Sequence, residues 1–317
     1  MDNQKWIYIL TVIFMVIVIP ITAILFIEYQ KTERSSSIQS VSSIGQAHTP
    51  TIFPTEIIME TPTPNVTPEI IIEPTTIQNP SPEDWKEWPV LPNYVSEELK
   101  QLYHQGIENG NNPHAFSIFG DCHSLPEIFL GIYDNDPDFI KTFDPFIQET
   151  VSNFQGSFDR YSPTVKIGAT EGALLWPLWN DNEEGLCEPN ENAVACELRV
   201  HKPSIVFIRV GTHYESRNEQ YLIRIIDNLL DNGIVPIIVT KADNRELDER
   251  INETLIKLAS QYDLPVWNFW ASVQNLDSQG INPDDDMYLS EDAYEIHTID
   301  GIKVLDFVWH QLNLNKN

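Results

Sequence analysis

The sequence predicts an α/β fold: a three-layer α/β/α sandwich around a mostly parallel sheet, preceded by one transmembrane helix and a disordered stalk. Three observations predict it. Short apolar runs alternate with amphipathic helical faces from residue 88 to residue 317, an uncharged run of 22 residues stands near the start, and the segment between them is too rich in Pro, Ser and Thr to build a core.

After a short flank at residues 1–5, residues 6–27 (WIYILTVIFMVIVIPITAILFI) carry no charge. As a helix they reach roughly 33 Å, against roughly 30 Å of bilayer hydrocarbon. No small-x-small cleavage site follows Phe26, so an uncleaved signal-anchor is expected rather than a secretory signal. Lys5 flanks one side and Lys31 and Arg34, mixed with Glu28 and Glu33, the other, so charge does not set the orientation.

Residues 28–87 read as the stalk. Between 35 and 82 there are 7 Ser, 8 Thr and 8 Pro in 48 residues with no Lys or Arg, a composition that favours an extended chain. Such stalks stand outside cells, which places the globular domain, residues 88–317, in an extracellular position on a single-pass cell-membrane anchor.

Within that domain the runs 115–120 (AFSIFG), 204–211 (SIVFIRVG), 234–240 (IVPIIVT) and 265–270 (PVWNFW) read as buried parallel strands. Tyr221, Leu222, Ile225, Ile226, Leu229 and Leu230 form one helical face, closed by Asn232-Gly233 as a C-cap. Ile251, Leu255, Leu258, Ala259 and Tyr262 form another, with Asp243 or Asn244 expected to cap its start. A last helix over about 299–314 would bury Ile302, Leu305, Val308, Trp309 and Leu312.

Charge removes one class of function. The chain holds 47 acidic and 19 basic residues, a net of -28. Residues 88–317 account for 37 and 15 of these, so the acidity belongs chiefly to the domain. A surface of this sign repels nucleic acid and anionic lipid headgroups. The expected partner is therefore the membrane, through the apolar helix, with no nucleic acid. Cys187 and Cys196 bracket a polar loop without metal-like spacing, which suits a disulfide in an exported protein, two unpaired thiols being the alternative. Cys122 is left over.

In an open α/β sheet, ligands bind beyond the carboxyl ends of the strands. Those ends read Gly120-Asp121-Cys122-His123-Ser124, Gly211-Thr212-His213-Tyr214 and Thr240-Lys241-Ala242-Asp243-Asn244. From about His114 to Leu314 this pattern resembles the SGNH/GDSL hydrolase family. FGDCHS matches the nucleophile block with Cys122 where the serine belongs. Gly168 of VKIGATEG matches the second-block glycine, VGTHYE carries His213 in place of the oxyanion Asn, and DDMYLS keeps Asp285 but has Tyr288 in place of the His.

The resemblance implies a hydrolase, an esterase acting on acyl or acetyl esters of surface carbohydrate or lipid. Its catalytic positions are Cys122, Asp285 and Tyr288, its oxyanion and cleft positions Gly168, His213 and Asp121, and it implies no cofactor. It equally admits a catalytically degenerate domain that binds a glycan, acyl ligand or protein without turnover. A thiol needs an imidazole partner, and His213, His123 and His297 are the candidates. The bland reading of Cys122 is a residue filling a tight buried turn, and that of His297 a surface or capping residue. Asp134, Asp136 and Asp138 alternate as in a calcium loop, but Phe139 and Pro145 fall where an EF-hand wants Gly and Glu. Asp284, Asp285 and Asp286 read as a solvated loop or a cation site. Trp176, Trp179, Trp267 and Trp270 could stack on sugars or pack the core.

Overall fold

A computed structural model of the chain describes residues 80–180, 185–211, 213 and 215–314. The expected anchor at 6–27 lies outside them, as does nearly all of the expected stalk. No helix of the described residues is long and apolar enough to cross a membrane. All of them belong to one compact unit, Glu73–Asn317.

Its centre is a four-stranded sheet, β1 (Asn112–Gly120), β2 (Pro203–Arg209), β3 (Val235–Val239) and β4 (Val266–Trp267), in the order β1-β2-β3-β4. Every pairing is parallel, with Phe116 opposite Ile205, Ile205 opposite Val235 and Ile238 opposite Val266. Every residue of β2 and β3 is buried, as expected where helices cover both faces of a parallel sheet. Outside β1, Val165 forms a parallel bridge to Gly120.

Helices flank the sheet. They include α1 (Glu97–Glu108), α2 (Pro145–Asn153), α3 (Ala193–Val200), α4 (Asn218–Asp231), α5 (Arg250–Tyr262) and α6 (Glu291–Asn313). α4 and α5 pack on each other and on β3, and α6 packs on α1 and α2. The expected stop after α4 is present: Gly233 takes φ +68°, and its carbonyl would lie 2.0 Å from a Cβ on Gly106 of α1. Two glycines thus let two backbones meet where any side chain would collide.

The structure departs from the sequence reading in three places. The PVWNFW run is a strand only at Val266–Trp267, because Asn268 caps a helical turn at Phe269–Val273 and donates to the Trp85 and Trp88 carbonyls at 3.0 and 3.2 Å. α5 begins at Arg250 and not near Asp243, which instead pairs with Lys241 at 3.0 Å. α6 begins at Glu291, capped by Ser290, well before residue 299.

Upstream, Trp85 and Trp88 are buried in the core, and Trp85 packs edge-on against Trp270 at 4.9 Å. Cys187 and Cys196 form a disulfide, their Cα atoms 5.2 Å apart. The alternate aspartates act as caps: Asp134 accepts from the Gly156, Phe158 and Asp159 amides, and Asp136 from those of Asp138 and Phe139.

Candidate functional site

β1 ends in a tight turn whose geometry the sequence dictates. A Cβ on Gly120 would lie 2.1 Å from Ser124 Oγ, so only glycine allows the chain to fold back here. The Gly120 amide donates to the Thr164 carbonyl at 3.0 Å and its carbonyl accepts from Lys166 at 3.2 Å, which fixes the neighbouring loop against the strand end. Asp121 then caps the turn Cys122–Ser124 by accepting from the His123 amide at 3.1 Å.

The turn brings Cys122 Sγ, a ring nitrogen of His123 and an Asp121 carboxylate oxygen within 4.8 Å of one another. All three residues are buried, Cys122 at 3% exposure. Burial and then the Asp121 charge push the Cys122 thiol up to about 12, the Arg209 guanidinium opposing them. Burial pulls His123 below its ordinary value, so its imidazole is neutral near pH 7. Its Nδ1 stands 3.5 Å from the Tyr294 hydroxyl, and the rings of Tyr288 and Tyr294 each lie 6.2 Å away.

Beside this turn opens a narrow cleft of about 20 Å3, lined by Asp121, His123, Arg209, Lys241, Asp243 and Leu289 among others. It lies at the carboxyl ends of β1, β2 and β3, where the topology predicts a ligand. Cys122 does not line it. Lys241 pairs with Asp243 at 3.0 Å and also with Glu246, so its charge is spent within its own loop.

Another buried acid, Glu171, ties the cleft loops together. It accepts from Asn218 Nδ2, while Thr170 Oγ1 donates to Glu215 at 2.7 Å. Burial is the first cause that raises Glu171 to about 8, with Glu215 and Asp121 adding repulsion.

Several positions named from the sequence lie nearby. Gly168 sits just past the Lys166 contact with φ +76°, a conformation that favours glycine. His213 is half-buried in the loop after β2, and among the described residues no hydrogen bond joins it to Cys122. Asp285 accepts from the Met287 amide at 3.0 Å, stabilising its own turn, and Tyr288 is 40% exposed. Asp286 pairs with Arg245 at 2.6 Å. His297, expected at the surface or as a cap, is fully buried and stacks 4.0 Å from Phe129 and 5.4 Å from Trp267.

Sequence reasoning missed Arg209, although its signal was present: a lone charge inside the apolar run SIVFIRV. Asp121, Cys122 and His123 together present oxygen, sulfur and nitrogen donors, but the buried guanidinium beside them opposes a cation. The Cys187, Glu191 and Cys196 group is closed by the disulfide.

No family model matches the chain, and no curated protein matches it. Among solved structures it is similar to a protein assigned to the G-D-S-L lipolytic family from Desulfitobacterium hafniense DCB-2, at 14% identity over 60% of this chain and 99% of that one, with a TM-score of 0.39. It is also similar to a protein assigned as an acylhydrolase from Bacteroides fragilis NCTC 9343, at 15% identity over 68% of this chain and 99% of that one, with a TM-score of 0.41.

Proposed function

We propose that the domain is an acyl-ester hydrolase of the SGNH/GDSL type in which His123 is the general base, held outside the cell on the apolar segment 6–27. The observation that carries this reading is a neutral imidazole in the wall of a strand-end cleft, beside the Asp121 carboxylate and the Cys122 thiol. The ordered blocks around Cys122, Gly168, His213 and Asp285 support the family, and the Cys187–Cys196 disulfide supports an oxidising compartment.

In this mechanism water is the nucleophile. The His123 imidazole takes a proton from water as the water oxygen bonds to the ester carbonyl carbon. The tetrahedral intermediate collapses with cleavage of the C–O bond to the alcohol, and the imidazolium returns its proton to the departing alkoxide. Gly168 and His213, on the two flanking loops, are the proposed contacts for the developing oxyanion. Tyr288 stands beside the imidazole, the ring centroids 6.2 Å apart, and Asp285 shapes the turn that carries Tyr288.

Access favours water over Cys122: His123 lines the cleft and the buried Cys122 does not, and burial with the Asp121 charge holds its thiol protonated. A second reading, Cys122 as nucleophile, is favoured by one observation: its sulfur lies within 4.8 Å of a His123 ring nitrogen.

Hydrolysis of a chromogenic acetate ester by the full chain, by Cys122→Ala and by His123→Gln separates these readings. His123→Gln is expected to lose roughly a hundredfold or more in kcat/KM, and Cys122→Ala to stay within a few-fold of the parent. An acidic limb of the pH profile with its midpoint below 6.5 would accompany this result, because burial holds His123 below that value. Loss of turnover in Cys122→Ala would establish the thiol reading. No turnover in any form would overturn both and leave a binding cleft.

A further inference from the structure

Arg209, the last residue of β2, is buried and yet lines the cleft. Its guanidinium lies over the Phe129 and Phe269 rings, 5.4 and 5.7 Å from their centroids. Its hydrogen bond to Ser124 is a long one, 3.4 Å from Nη1 to Oγ, and Nε has no partner among the described residues. Among the described residues no carboxylate comes within ion-pairing distance of it. Asp121 and Asp243 are near enough for their charges to be felt, but Asp121 caps the turn through the His123 amide, and Asp243 is held by Lys241 and the Arg245 amide.

A buried guanidinium whose nearest carboxylates stand beyond ion-pairing distance is costly, by several kcal/mol even after relaxation. Arginine stays protonated in proteins, so the cost cannot be relieved by losing the proton. A planar fork at a cleft wall, flanked by aromatic faces and short of acceptors, matches a carboxylate, whose two oxygens take parallel N–H bonds.

We propose that Arg209 anchors a small carboxylate in this cleft, either the acid released from an ester or a carboxylate borne by the ester itself. The inference rests on reading this cleft as the functional site, and it names the charge of what the cleft holds. The Phe129 and Phe269 rings beside it restrict the guanidinium from swinging to solvent, so the ligand must come to the arginine.

The test is ligand-observed NMR on the full chain, at matched ionic strength, with sodium acetate, monomethyl succinate and acetamide. Acetate or monomethyl succinate is expected to bind saturably and acetamide, its neutral analogue, not to bind. Binding of acetate points to the released acid, and binding of monomethyl succinate alone to a carboxylate on the ester. Arg209→Met is expected to weaken carboxylate binding by roughly tenfold or more, and Arg209→Lys by less. Acetamide binding as well as acetate, or no saturable binding of either carboxylate, overturns the inference without any variant, so misfolding of Arg209→Met does not shelter it. Undiminished carboxylate binding by a folded Arg209→Met also overturns it. Carboxylate binding without ester turnover would defeat the hydrolase reading and leave this one standing; ester turnover without carboxylate binding would do the reverse.

Discussion

Glu171 shows how a residue's surroundings set its chemistry. Burial, with the Glu215 and Asp121 charges behind it, holds the group protonated to about pH 8 against the Asn218 hydrogen bond to one oxygen, and the other oxygen has no partner. Its folded pKa lies above the ordinary 4.5, so between about 4.5 and about 8 the folded state binds more protons than the unfolded one. Stability contributed here therefore falls as pH rises through that window and levels off above it. Glu171→Gln keeps the shape and the acceptor for Asn218 but cannot ionise. It should gain stability above pH 8, on the order of a few kcal/mol, and flatten the decline between pH 5 and 8. Urea unfolding of both proteins across that range measures it; parallel curves would show that Glu171 is not the responsible group.

At the scale of elements, α6 is where periodicity misled most. His297 interrupts the apolar stripe, so the sequence suggested a helix starting after it, whereas the helix runs through it and turns it inward. Gly301, one turn later, permits this, since a Cβ there would lie 2.7 Å from the Phe129 ring. Both imidazole nitrogens lack hydrogen-bond partners, and burial followed by the Arg209 charge holds the ring well below 6.5. A depressed folded value means that the unfolded state binds the extra proton, so this contribution is present above 6.5 and is lost as pH falls below it. His297→Phe retains the aromatic stack while removing two unpaired polar atoms. It should be neutral or stabilising by roughly 1–3 kcal/mol and should lessen acid destabilisation below pH 6.5. A loss of more than that in thermal melts would mean that the imidazole makes a contact a phenyl ring cannot replace.

For the whole molecule, the acidity read from the sequence acquires a mechanical meaning. With 37 acidic and 15 basic residues in 88–317, the domain repels an anion at long range. Screening limits that repulsion to about 8 Å at physiological salt, so a local buried cation is needed to reverse it. The parallel sheet, the four strand positions and the Gly233 stop were legible because long apolar runs and glycine punctuation report directly on burial and backbone space. The Cys187–Cys196 pair was legible from spacing. The site was legible only as a place: GDCHS marks the strand end, but whether Cys122 or His123 faces the cleft depends on how the 284–288 loop and α6 pack against the turn, which no local pattern encodes. Arg209 reads as an oddity in an apolar strand until the fold puts it in the cleft wall.

The central claim is that water, activated by His123, attacks the ester while Cys122 stays protonated behind the cleft. Acid-quenched single-turnover reactions of the full chain with an acetate ester, followed by peptide mass mapping of Cys122, test this most directly. The account predicts ester cleavage with no acetyl group on Cys122 at any time point. An acetyl-Cys122 thioester that forms and decays at the rate of turnover would contradict it.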